Sequence, residues 1–190
     1  RYLADYAITC KGDVSLLSDV AIDVANGRIS WIGKHSDAPT HHGPTSKLGG
    51  LLMPGLVNRH AHTPMTLVRG AGDGLPLMDW LTKVMWPREG QMTAEDALWG
   101  MRLGAAEMLL AGVTSTCEMY LFEDAIVEAA TEIGIRLAIT PGIISAVHGT
   151  SVSAVDNRIS EISKFHSQYH DPESLITVGF GPHSAYDLPL

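Results

Sequence analysis

From Leu51 onward the sequence alternates short β-rich apolar runs with longer segments of helical period, and this alternation constrains the fold more than any other feature. The strand-like runs are Leu51 to Val57, Val113 to Met119, Ile135 to Gly142 and Ile176 to His183. Between the first two, Thr93-Ala94-Glu95-Asp96 forms a capping box, and Leu98, Met101, Ala105, Met108 and Leu109 recur at helical spacing up to a stop at Gly112. The methionines in that series read as core filler. A second helix is predicted over Asp124 to Ile133, closed by Gly134, and a third has Val155, Ile159, Ile162 and Phe165 on one face and ends at Asp171-Pro172. Strands and helices in this order make βαβ units and a parallel sheet. Four such strands are half of what a closed (β/α)8 barrel requires.

Residues 1–50 read differently. Val20, Ile22 and Val24 alternate with polar or small neighbours, and Asn26-Gly27 precedes Ile29-Ser30-Trp31-Ile32. Asn-Gly between two such runs predicts a hairpin, because both central residues must take positive φ. With one more strand near Leu3 to Thr9, this is too little sheet to be stable alone. Ser36 to Ser46 reads as a linker, with His35, His41 and His42 as exposed loop residues. The connection His62 to Gln91 exceeds the roughly 12–15 residues beyond which loops are usually functional. Its apolar part, Leu75 to Trp86, is predicted to form a short helix.

A net charge of −8 argues against nucleic acid or anionic membrane as a partner. No run of 18 or more apolar residues is present, and Cys10 and Cys117 are too few for a disulfide framework. A cytoplasmic location is the expectation. The sequence starts on Arg1 and stops at Leu190 soon after a histidine motif, so an N-terminal portion of a longer chain is expected.

The chemistry concentrates where the first run ends, in Pro54-Gly55-Leu56-Val57-Asn58-Arg59-His60-Ala61-His62. An apolar run of this length suits a strand buried on both faces. Side chains alternate along a strand, so His60 and His62 aim two imidazoles into one space. In a parallel barrel that end of the strand is where active sites sit.

This segment, with Pro64-Met65-Thr66-Leu67-x-Arg69-Gly70, resembles the first barrel strand of the amidohydrolase superfamily. Asp73-x-Leu75-Pro76-Leu77-x-x-Trp80-Leu81 and Trp86-Pro87-x-Glu89 resemble its aminohydrolase branch, which includes the S-adenosylhomocysteine and 5′-methylthioadenosine deaminases and the triazine chlorohydrolases. The resemblance implies an α/β fold, the first half of a (β/α)8 TIM-like barrel over residues 51–190, preceded in 1–50 by strands of a small β-sandwich. It implies His60 and His62 as ligands of one divalent metal ion, zinc by preference. The remaining ligands and the proton-shuttling glutamate of the family belong to later strands, so no catalytic residue falls within this chain. The implied reaction is attack of a metal-activated water on an aromatic ring carbon, expelling ammonia or another leaving group.

Three further residues match substrate-contacting positions of the family: Glu89, His183 in Gly179-Phe180-Gly181-Pro182-His183-Ser184-Ala185-Tyr186, and Arg158 at the start of the third helix. Read without the resemblance, Glu89 is equally a solvated helix-end glutamate, Arg158 an exposed helical arginine, and His183 a structural strand-end histidine. Thr140-Pro141-Gly142 lacks the arginine that members binding an amino-acid tail place after the third strand, Glu118 stands where many relatives have aspartate, and Ala185 where many have proline.

The leading expectation is hydrolytic deamination of a purine nucleoside thioether by the full-length protein, with a small-molecule substrate as its partner. The 190 residues alone, without the C-terminal half of the barrel, are expected to be inactive. A triazine or other heteroaromatic aminohydrolase or chlorohydrolase is the alternative enzyme, and a non-catalytic half-barrel the alternative outside enzymes. Self-association into a homo-oligomer is left open by the sequence.

Overall fold

The structure, a computed structural model, describes residues 1–10, 15–184 and 187. Contacts divide the chain into two units, Arg1–Gly55 and Leu56–Leu190.

The first unit is a mixed sheet. Strands β1 (Tyr2–Ile8), β2 (Leu16–Ala25) and β3 (Arg28–Lys34) are antiparallel neighbours, while β4 (Ser46–Lys47) and β5 (Leu51–Leu52) both pair parallel to β1. The Asn26-Gly27 hairpin forms as predicted, with φ of 52° and 72° at the two turn residues. Its buried core is small: Ala7, Val20 and Ile22, packed by Leu17 and Leu52. His35 and His42 are exposed as expected, but His41 is half-buried, its Nδ1 3.8 Å from Asp23 Oδ1 and its Nε2 3.1 Å from the Pro44 carbonyl.

The second unit is built on four parallel strands in the order β10 (Ile176–Val178), β8 (Arg136–Ile139), β7 (Val113–Glu118), β6 (Leu56–Ala61). After β6 come a 3-10 turn, Thr63–Val68, and a helical stretch made of α1 (Leu77–Trp80), a π turn (Leu81–Met85) and α2 (Trp86–Glu89). Helix α3 (Ala94–Leu110) leads to β7, and α4 (Glu123–Ile133) to β8. A short pair, β9 (Gly142–Ile143) with β11 (Gly181–Pro182), flanks α5 (Ser145–His148), α6 (Val152–Tyr169) and β10. The core packs Met101 and Ala105 of α3 and Ile126, Val127, Ala129 and Ala130 of α4 against Leu137, Ile139, Ile176 and Val178 of the sheet. The Thr93–Asp96 capping box is complete, and Gly112 and Gly134 end α3 and α4 at φ near 80°.

Three expected strands differ. Leu51 to Val57 is not one strand buried on both faces, because it divides at Met53-Pro54-Gly55: β5 joins the first sheet and β6 the second. Pro54 has no N–H to give a ladder. Strand β6 has a sheet neighbour on one side only among the described residues, which leaves Leu56 and Val57 52% and 61% exposed. The third run likewise breaks at Thr140-Pro141 and the fourth at Gly179-Phe180, giving β8 then β9 and β10 then β11. On α6, Ile162 is fully buried while Ile159 stays partly exposed, so the predicted apolar face is only partly used.

Helix α3 presses on the turn that follows the histidines. A Cβ on Gly100 would lie 2.5 Å from the Pro64 carbonyl oxygen and 2.8 Å from Pro64 Cα, and one on Gly104 would strike Thr63 Cγ2. Thr66 Oγ1 is 2.8 Å from the Gly100 carbonyl and 2.9 Å from that of Thr63. Gly100→Ala should therefore lower stability by about 1–3 kcal/mol, since the obstructing atoms are backbone and the modest helix-propensity gain is outweighed. A urea midpoint equal to the parent's would mean the turn yields to the methyl group.

Candidate active site

Because β6, β7, β8 and β10 are parallel, their C-terminal ends share one rim, the end at which open α/β sheets bind ligands. The rim brings together His60–His62, Glu118–Tyr120, Thr140–Pro141 and the segment that runs from β10 to His183. The pairing continues past the strands, with Met119 N–H donating to the Ala61 carbonyl at 3.2 Å and Thr140 N–H to the Glu118 carbonyl at 2.8 Å.

A bulge aims the histidines. Asn58 pairs with Thr116 and Ala61 with Glu118, so β6 carries one residue more than β7 between these points. Thr116 and Glu118 lie on one face of β7, and the extra residue puts Ala61 on that face too. His60 and His62, flanking Ala61, then take the opposite face together. Their rings meet edge to face with centroids 4.8 Å apart. His62 Nδ1 is 2.5 Å from the Met119 carbonyl oxygen. A carbonyl only accepts, so Nδ1 carries the proton and Nε2 is left with its lone pair, the arrangement a metal-binding imidazole uses. The pair therefore fits a divalent metal by donor chemistry. Among the described residues no group of three or more His, Cys, Asp or Glu converges.

Behind the histidines sits a group the sequence left unassigned. Glu118 is fully buried; Oε2 accepts from Thr63 N–H at 2.9 Å, and Oε1 has no hydrogen-bond partner. Burial pushes its carboxyl up to about 7, against the lowering effect of the Thr63 N–H. A carboxyl whose pKa is higher folded than unfolded favours folding below about 4.5, and that contribution is lost as pH rises toward 7. In the metal-free full-length protein, Glu118→Gln should match the parent near pH 4.5 and exceed it by about 3 kcal/mol above pH 7. Parallel urea curves at both pH values measure this; an equal difference at each would mean that Glu118 does not titrate with folding.

Glu89, half-buried at the end of α2, accepts a 2.9 Å hydrogen bond from the Tyr120 hydroxyl through Oε1. The Tyr120 ring lies 6.2 Å from that of His62. The structure thus links Glu89 to the histidine pair through Tyr120. Arg158 is neither exposed nor at the first turn of α6. Its guanidinium pairs with Glu123 and with Glu161 at 3.2 Å, and its Nε donates to the Gly142 carbonyl at 3.0 Å. His183 donates its amide to the Ile143 carbonyl at 3.2 Å, and its exposed ring stands 3.8 Å from Asp187, which Ser145 holds through its amide at 2.9 Å. Ala185 and Tyr186 of that motif lie outside the described residues. No hydrogen bond joins His183 or Arg158 to His60 or His62 among the described residues.

The chain belongs to the amidohydrolase family, which residues 51–189 match. It is 37% identical over 180 residues to the 5-methylthioadenosine/S-adenosylhomocysteine deaminase of Symbiobacterium thermophilum, covering 94% of this chain and 41% of that protein. Its fold matches the crystal structure of an adenosine deaminase from Xanthomonas campestris with bound zinc at a TM-score of 0.86 and 34% identity, over 99% of this chain and 43% of that one. The zinc complex of atrazine chlorohydrolase from Arthrobacter aurescens matches at a TM-score of 0.80 and 21% identity, over 100% and 48%, and shares the fold. The chain spans less than half the length of each of these relatives.

Proposed function

We propose that the full-length protein is a metal-dependent hydrolytic deaminase of purine nucleoside thioethers of the 5′-methylthioadenosine type. The observation that carries this reading is the chain of contacts from His62 through Tyr120 to Glu89, which links a carboxylate to a metal-competent histidine pair through one buried phenol. In this reading the four parallel strands are the first half of a (β/α)8 barrel, and the N-terminal mixed sheet is part of a β-sandwich. The strand order and the similarity to the zinc-containing deaminase support it.

His60 and His62 would hold a zinc ion, His62 through the Nε2 that its Met119 contact leaves free, with ligands from later strands completing the site. When bound, the ion supplies the Lewis acidity that makes a water nucleophilic near neutral pH. The residues of this chain hold and orient. Met119 fixes the His62 tautomer, Glu89 accepts hydrogen bonds from the ribose hydroxyls, and His183 reaches the substrate's ring or sugar. Arg158, committed to two carboxylates and a carbonyl, favours a small apolar 5′ tail over an amino-acid tail that needs a cation of its own.

Ammonia release by the zinc-loaded full-length protein tests the proposal. Turnover of 5′-methylthioadenosine, ahead of S-adenosylhomocysteine and of an aminotriazine, is expected. Turnover of the triazine alone would favour the heteroaromatic hydrolase, and turnover of none of the three would count against both enzyme readings.

A further inference from the structure

Tyr120 belongs to none of the motifs above, yet its surroundings are specific. It follows β7 by two residues, and its ring is buried in the core beneath the strand ends. A buried phenol must place its hydroxyl. This one donates to Glu89 Oε1 at 2.9 Å, across 31 residues of sequence. The acceptor stands at the end of the four-residue helix α2, inside the long connection after the histidines. A glutamate on such a segment has several rotamers to lose before it can bind anything, and ordering them beforehand strengthens binding.

We infer that Tyr120 is a positioning residue for substrate recognition: its hydroxyl engages Glu89 Oε1 and fixes the carboxylate so that Oε2 meets the hydroxyls of a ribose diol. The inference rests on the proposed nucleoside specificity. The Tyr120 ring also lies 6.2 Å from the His62 imidazole, so one side chain connects the sugar-binding group to the metal-binding pair.

The test uses the zinc-loaded full-length protein with 5′-methylthioadenosine and its 2′,3′-dideoxy analogue. Tyr120→Phe keeps the ring and removes only the donor. It should raise KM for the diol substrate about tenfold, as the loss of one hydrogen bond to a charged acceptor does, with kcat held within about twofold. The dideoxy analogue should be unaffected. In a Glu89→Gln background, the same change should cost less than about twofold, because the two residues act as one unit. Equal losses on both substrates, additive effects in the double variant, or no change in KM would overturn the inference. Glu89→Gln affecting the diol substrate while Tyr120→Phe does not would remove the role of Tyr120 and leave the nucleoside reading standing. Glu89→Gln without effect on the diol substrate would overturn that reading and the inference with it.

Discussion

Replacing His62 by Ala in the full-length protein should weaken zinc binding more than about 100-fold and abolish detectable deamination, and His60→Ala should do the same. Losing an outer partner of a metal-bound histidine typically costs about 10- to 100-fold in affinity, so losing the imidazole itself exceeds that range. The expectation follows from geometry: both rings share a face after the bulge, 4.8 Å apart, and His62 has Nε2 free because Nδ1 is engaged by Met119. His42→Ala supplies the control, being an exposed histidine of the first unit. Zinc content by elemental analysis, with affinity from chelator competition, separates the outcomes. Full occupancy in either variant would show that the pair is not the metal site. Loss of activity with zinc retained would give the histidines a role in substrate binding alone.

What the sequence made legible was local. The Asn26-Gly27 hairpin, the Thr93–Asp96 capping box and the glycine stops at Gly112 and Gly134 each follow from a few adjacent residues whose φ or hydrogen bonds have no alternative. The H-x-H pair was visible as well, because alternation along a strand needs no knowledge of the partner strand. The bulge that turns the pair toward the other face was not, since it exists only in the register between β6 and β7. Nor was the division of Leu51 to Val57 between two sheets. An apolar run looks the same whether it is buried as one strand or parted at a proline into two. Glu118 and Tyr120 escaped for a related reason. The partner of Glu118 is the Thr63 amide, 55 residues away, and that of Tyr120 is Glu89, 31 residues away, so neither contact leaves a pattern in the chain.

Glu89→Gln should separate nucleoside substrates from bare heteroaromatic ones. The carboxylate is an acceptor at both oxygens; Tyr120 orients it through Oε1 and leaves Oε2 to a substrate hydroxyl. The amide introduced by this substitution would keep the shape and one neutral acceptor but lose the charge that strengthens hydrogen bonds to hydroxyls. Such bonds contribute roughly 1.5–3 kcal/mol each, so kcat/KM for 5′-methylthioadenosine should fall about 10- to 150-fold. Adenine has no ribose, and neither does an aminotriazine, so any turnover of these by the parent should change far less. Ammonia release from each substrate, compared between parent and variant, reads the difference directly. Comparable losses on nucleoside and free base would place Glu89 in support of the fold or of the histidine pair. A loss confined to the nucleoside would mark this half-buried carboxylate as the group that tells a sugar-bearing purine from a flat ring alone.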